Sequence, residues 1–340
     1  MARYKPRSKN TGLVQGSIRP AIQPILALLI VCSLAASARG ETAAGRFFLM
    51  GTGYIHIKNM HTGIETSVKL LGPNGEVNDD AFDRIDEVFE FPTREKGEHI
   101  SPRLIFMLDY FADLVAPGKT INLVSGYRSP DHNASVREAG GNAAKTSAHM
   151  DGMALDFYIH GVDGKTLWNI IRRRNCCGVG YYGEATIHLD AARPRFWEAS
   201  TSKVRTGQSD FNRRIYISAD FDRYMSEDTV RLSFSSVSDF GFGIGPAVAI
   251  VDDAKGHKKA ASARIKSEDN ATCLMIEDRK ASHFIRLPLP AGLRDGKYRF
   301  KIDFCRRPFK QMPQSILSNV IEVRGTRLSS AFTALADDRC

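Results

Sequence analysis

The sequence contains no internal repeat and no long low-complexity tract. Its 340 residues are 43% hydrophobic and 25% charged, the balance of a globular chain and not of a disordered one. That length suits one large domain or two ordinary ones. A strong charge of either sign is also missing once the beginning is set apart. Arg3, Lys5, Arg7, Lys9 and Arg19 stand there with no acid among them, and removing those five takes the formal charge from +9 to +4. So mild a balance gives no support to a nucleic-acid partner.

The apolar run near the amino terminus, Ile25 to Ala36, falls short of the roughly twenty residues that a membrane helix needs. It follows the basic residues and ends at the small-x-small site Ala36-Ser37-Ala38. This order predicts an export signal over residues 1–38 and a protein of the periplasm or cell envelope. The alternative is an uncleaved membrane anchor. Val31 is too bulky for Cys32 to lie in a lipoprotein site. Cysteine is sparse, and the zinc-ribbon spacing is absent. Beyond the signal stand Cys176, Cys177, Cys273, Cys305 and Cys340. The adjacent pair reads as structural, and Cys273 with Cys305 as a bridge between neighbouring strands. The odd count leaves at least one thiol without an intramolecular partner.

What is present begins with the alternating "YIHIKNMHTGIETSVKLL", in which His-Thr-Gly is placed to turn a hairpin. Asn78 or Asp79 caps a helix through Phe89, with Phe82, Ile85, Val88 and Phe89 on one face. A second helix begins at Ser101-Pro102 and stops before Pro117. A strand over Ile121 to Ser125, a helix around Asn133 to Ala139, a strand over Ala154 to Ile159 and a helix over Thr166 to Arg174 follow. Two short strands occupy "GVGYYGEATIHLD". This mixture predicts a compact α+β domain over residues 46–200, built on a mostly antiparallel sheet. After "TSKVRTGQSD" the segments become short, alternating and divided by turn residues. That pattern predicts an all-β, sandwich-like domain over residues 210–325, folded separately, with a disordered tail over 326–340. A chain ending near Ser200 is therefore expected to stay folded.

Two segments, "SAHMDGMALDF" and "ATIHLD", concentrate histidine and carboxylate. Strand residues two apart share a face, so Asp156 points with Ala154 and Tyr158, and His188 points with Asp190. His149 stands just before the first strand, where Gly152 lets the backbone bend. Pairing the two strands brings His149, Asp156 and His188 together. Two imidazoles and one carboxylate, with a fourth position for water, suit catalytic zinc. Taken singly, each residue has a plainer reading as a turn cap or a hydrogen-bonded core histidine.

In order, "SGYRSPDHN", "SAHMDGMALDF" and "GVGYYGEATIHLDAARPRFW" resemble the zinc murein peptidases of the D-alanyl-D-alanine carboxypeptidase superfamily, nearest to the murein endopeptidase K type. The resemblance runs from about Arg46 to Trp197. It implies one zinc per chain, held by His149, Asp156 and His188, and hydrolysis of an amide in peptidoglycan. It places Arg128 near the site, to hold a substrate carboxylate or stabilise the oxyanion, against a structural salt bridge. Ser147 either orients substrate or closes a turn. Tyr181 and Tyr182 are expected to wall the cleft, and Trp197 to close the core. Where many relatives carry an acid three residues before the second histidine, this chain has Ala185. Asp190 is then the first candidate for the proton carrier and Glu184 the second, with Asp190 open to a plainer role orienting a histidine. The rival functions are a D,D- or L,D-carboxypeptidase acting on stem ends and an exported module that binds peptidoglycan without cutting it.

Overall fold

The computed structural model describes residues 43–140, 143–201, 210–267 and 271–325, all within one compact unit, Gly40–Cys340. The expected signal, the tail and Cys340 lie outside the described residues. No helix among the described residues is long and apolar enough to cross a membrane.

The amino-terminal half is built on a seven-stranded sheet. Its strands are β1 (Tyr54–Asn59), β2 (Glu65–Lys69), β3 (Ile121–Ser125), β4 (Ala154–Ile159), β5 (Gly178–Gly183), β6 (Thr186–Asp190) and β7 (Arg195–Glu198). Their spatial order is β2-β1-β3-β4-β6-β5-β7. The pairs β1–β3 and β5–β7 are parallel and the rest antiparallel. The expected α+β domain with a mostly antiparallel sheet is therefore what forms. The hairpin turns at Gly63, whose φ of 78° a β-carbon would disfavour, while Asn59 accepts from the His61 and Thr62 amides.

Helix starts follow their caps. Asn78 accepts from Ala81 N ahead of Asp79–Phe89, and Ser101 accepts from Leu104 N ahead of Pro102–Val115. Both helices bury their apolar faces, with Phe82, Ile85, Leu104, Phe106 and Phe111 inaccessible to solvent. The helix Pro130–Glu138 starts three residues earlier than the expected Asn133, because Ser129 caps it and Pro130 takes its first position. The helix Gly164–Arg174 likewise starts ahead of Thr166, capped by Asp163.

From Tyr216 onward the described residues form strands and turns, with one short 3-10 helix, Ala281–His283. One sheet has three strands, ordered Ile285–Pro288, Thr229–Ser235, Tyr216–Ala219. The other has eight and is organised around the long strand Gly296–Arg306. This region has its own apolar core, distinct from that of the first half. Cys273 and Cys305 form the expected disulfide, but their strands are not neighbours. Phe242–Ile244 lies between them, and Gly243 leaves the room: a β-carbon there would meet Cys273 Sγ at 2.5 Å. Cys176 and Cys177 bond to each other in the turn before β5.

The two halves share a substantial boundary. Phe221 packs against both cores, and its ring lies 5.4 Å from that of Phe47. Arg103, buried in the second helix, pairs with Asp222 at 2.9 Å and donates to Ala191 O. Arg223 donates to Gly45 O and Phe47 O.

Candidate metal centre

The register of β4 with β6 sets Asp156 directly opposite His188. His149 reaches the same point from the buried 3-10 turn Ala148–Asp151, which Gly152 ends at φ 63°. A β-carbon at Gly152 would run into the Phe91 ring, so glycine serves both the turn and the packing. Three ligand atoms converge there. Asp156 Oδ1 is 2.8 Å from His188 Nδ1 and 3.4 Å from His149 Nε2, and those two nitrogens are 3.3 Å apart.

The outer contacts decide which ring nitrogens carry hydrogen. His149 Nδ1 lies 2.6 Å from Gly126 O, which can only accept. His188 Nε2 lies 2.8 Å from Asp190 Oδ2, and that carboxylate also only accepts. Neutral imidazoles held this way present lone pairs inward at His149 Nε2 and His188 Nδ1, beside a third from Asp156 Oδ1. Three lone pairs aimed at one buried point repel one another unless a proton or a cation stands among them. Burial holds the His149 pKa below the ordinary imidazole value. Burial pushes His188 the same way, but Asp156 and Asp190 outweigh it and raise its pKa. Burial would raise Asp156, yet the two histidines outweigh it and hold the acid well below the carboxylate range. A proton on His188 satisfies part of this set. A divalent cation satisfies all three donors, and two imidazoles with one carboxylate are a donor set that zinc accepts.

Arg128 bridges from behind. Its Nη2 donates to Asp156 Oδ2 at 3.0 Å and its Nε to Ser125 Oγ at 3.1 Å, leaving Nη1 without a partner among the described residues. Ser147 accepts from the His149 amide and caps the 3-10 turn, so its hydroxyl closes the turn. Asp190 shares the His188 face, as the strand period requires, but it sits on the outer nitrogen of the ring. It is fully buried, accepts from Ala192 N at 3.0 Å and pairs with Arg195 at 2.7 Å. Burial would raise its pKa, yet Arg195 and His188 bring it down to about 2. This placement suits orienting His188; it does not suit taking a proton at the point where the three ligand atoms meet. Glu184 lies exposed in the β5–β6 turn at φ 50° and is not in the converging group.

Sequence reasoning misplaced two of three aromatic residues, Trp197 and Tyr181. Trp197 is half-buried and does not close the core; its ring lies 5.0 Å from that of His188. Parallel pairing of β7 with β5 places it there opposite Gly180, where a β-carbon would meet the indole at 2.5 Å. Tyr182 stands on the site face, its ring 6.4 Å from His188, and burial together with Asp156 raises its pKa and keeps the phenol protonated. Tyr181 turns to the opposite face and packs near Trp168. Arg195 was also missed, although its place in "HLDAARPR" gave a signal: a cation five residues after a buried acid.

Two buried imidazoles and a carboxylate that converge beside an aromatic wall form a donor set that a single zinc ion accepts. Residues 50–197 match the family described as Peptidoglycan L,D-endopeptidase MepK. The peptidoglycan L,D-endopeptidases MepK of Escherichia coli K12 and Shigella flexneri are each 29% identical over 142 residues, 42% of this chain and 78% of theirs. The probable peptidoglycan L,D-endopeptidase MepK of Haemophilus influenzae is 37% identical over 79 residues, 23% of this chain and 42% of its own. The resemblance read from the motifs holds over that span.

Proposed function

We propose that the chain is an exported, zinc-dependent peptidoglycan hydrolase that cuts an amide in peptide cross-links. The observation that carries this reading is the convergence of three lone-pair donors from His149, Asp156 and His188 in a segment similar to peptidoglycan L,D-endopeptidases. Zinc bound there would lower the pKa of water and polarise the scissile carbonyl. Gly126 O and Asp190 fix the tautomers of the two histidines, and Arg128 neutralises the far oxygen of Asp156. The free Nη1 of Arg128 is available to a substrate carboxylate or a developing oxyanion. Tyr182, protonated, offers a donor beside the same point, and Trp197 supplies an apolar wall. We assign Asp190 to orienting His188. Glu184 is then the remaining acid of the pair expected to carry the proton. The β-rich half is read as a sandwich that contributes no ligand, and export rests on the order of basic, apolar and small residues before Arg39.

Metal analysis of the dialysed protein tests the reading. One zinc per chain is expected in the wild type, and much less in Asp156→Ala and His188→Ala, with hydrolysis of cross-linked muropeptides following the zinc. A wild-type protein that retains no zinc and still hydrolyses them would overturn it.

A further inference from the structure

Asp151 closes the turn that carries His149, and its side chain is 1% exposed. A carboxylate so sealed from water needs counter-charge close by. Among the described residues, no cation of the first half pairs with it directly. Arg279 Nη1 pairs with Asp151 Oδ1, and His283 Nε2 lies 3.8 Å from the same oxygen. Both come from the β-rich half, about 130 residues further on. His283 is itself buried, and its Nδ1 lies 2.6 Å from Glu98 Oε1. Glu98 in turn receives Arg231 Nη1 at 2.8 Å. The chain of charges therefore alternates between halves: Asp151, then Arg279 and His283, then Glu98, then Arg231.

We propose that Arg279 and His283 are positioning residues for the metal centre, acting through Asp151 to hold the His149 turn. This rests on the metal reading given above. Without Arg279, the sealed Asp151 carboxylate loses its closest partner and must shift toward water. That shift moves the end of a four-residue turn in which His149 stands two residues away. His149 keeps its bonds to Gly126 O and, through its own carbonyl, to Arg128 N. The expected result is thus a loosened ligand and not a lost one. The β-rich half then contributes to metal affinity without giving a ligand. A chain ending near Ser200 would fold poorly or bind zinc weakly, contrary to the independence its sequence pattern predicts.

The test uses the full chain and compares Arg279→Ala, Arg279→Lys, His283→Gln and Arg223→Ala. The last removes a boundary contact to Gly45 and Phe47 that does not belong to the Asp151 group. Zinc affinity is read by competition with a chelator, and the ligand field by the visible spectrum of the cobalt-substituted protein. Arg279→Ala should weaken zinc about tenfold or more and alter the cobalt spectrum, with Arg279→Lys recovering most of the affinity. Arg223→Ala should lower the melting temperature and leave zinc affinity unchanged. If Arg279→Ala does not fold, His283→Gln carries the same expectation. Folded Arg279→Ala or His283→Gln that binds zinc as the wild type does would overturn this inference. A wild type that binds no zinc would instead overturn the proposed function.

Discussion

Replacing Asp190 by asparagine keeps the shape of the side chain and changes only its chemistry. Every neighbour of the carboxylate is a donor: Ala192 N, two nitrogens of Arg195, and His188 Nε2. An amide offers one acceptor atom where the carboxylate offers two, so one N–H group must face another donor. If that group faces His188, the ring turns over its proton and Nδ1, the ligand nitrogen, carries hydrogen. Hydrogen bonds to charged groups contribute about 1.5–3 kcal/mol each. Breaking a buried ion pair costs about 3–5 kcal/mol. Arg195 is 30% exposed and regains hydration, so the lower end applies: about 2–3 kcal/mol of stability in the metal-free protein. Zinc affinity should fall about ten- to a hundredfold. Urea denaturation of the metal-free protein and chelator competition measure the two effects, with turnover taken at saturating zinc. Once zinc is restored, turnover should return to within about tenfold of the wild type, and Glu184→Gln should be the slower variant. Unchanged zinc affinity with a rate loss of about two to four orders of magnitude would refute this reasoning and make Asp190 the proton carrier.

Two further outcomes follow from the same contacts. Burial opposes the charge on His283, but Asp151 and Glu98 outweigh it and lift its pKa from 6.5 to about 9. Arg279, Arg231 and Lys96 are further charges around this group. A raised folded-state pKa gives stability that is full below pH 6.5 and is lost as pH rises through about 9, here about 3 kcal/mol. Denaturation midpoints measured from pH 6 to 10 should show that fall in the wild type and a flatter profile in His283→Gln; matching profiles would contradict it. Gly180→Ala forces a β-carbon against the Trp197 indole, so a loss of about 1–3 kcal/mol in stability is expected, with a lower kcat/KM as the wall beside His188 shifts. Wild-type kcat/KM in that variant would remove Trp197 from the cleft.

The convergence of Asp156 with His188 was legible because it depends on period and register within two short strands. His188 and Asp156 each stand mid-strand, and the antiparallel pairing of β4 with β6 sets them opposite one another. What the sequence could not give was direction at longer range. Strand period puts Asp190 on the His188 face, but only the folded chain, with Arg195 and the Ala192 amide behind it, shows which ring nitrogen it meets. Trp197 looked like the end of a core because β7 is four residues long and its parallel pairing with β5 leaves no local signature. The early start of the helix at Pro130 did have a signal: Ser129-Pro130 repeats the Ser-Pro start seen at Ser101-Pro102. Asp151 read as a turn residue, since its partners Arg279 and His283 belong to a half whose pattern predicted independence.

Mass spectrometry of muropeptides tests the central claim most directly. Purified sacculi are incubated with the protein, with and without chelator, and again after zinc is returned. Cross-linked dimers should be lost, the chelator should prevent that loss, and zinc should restore it. Intact dimers beside shortened monomers would make the protein a carboxypeptidase, and an unchanged profile would contradict hydrolysis altogether.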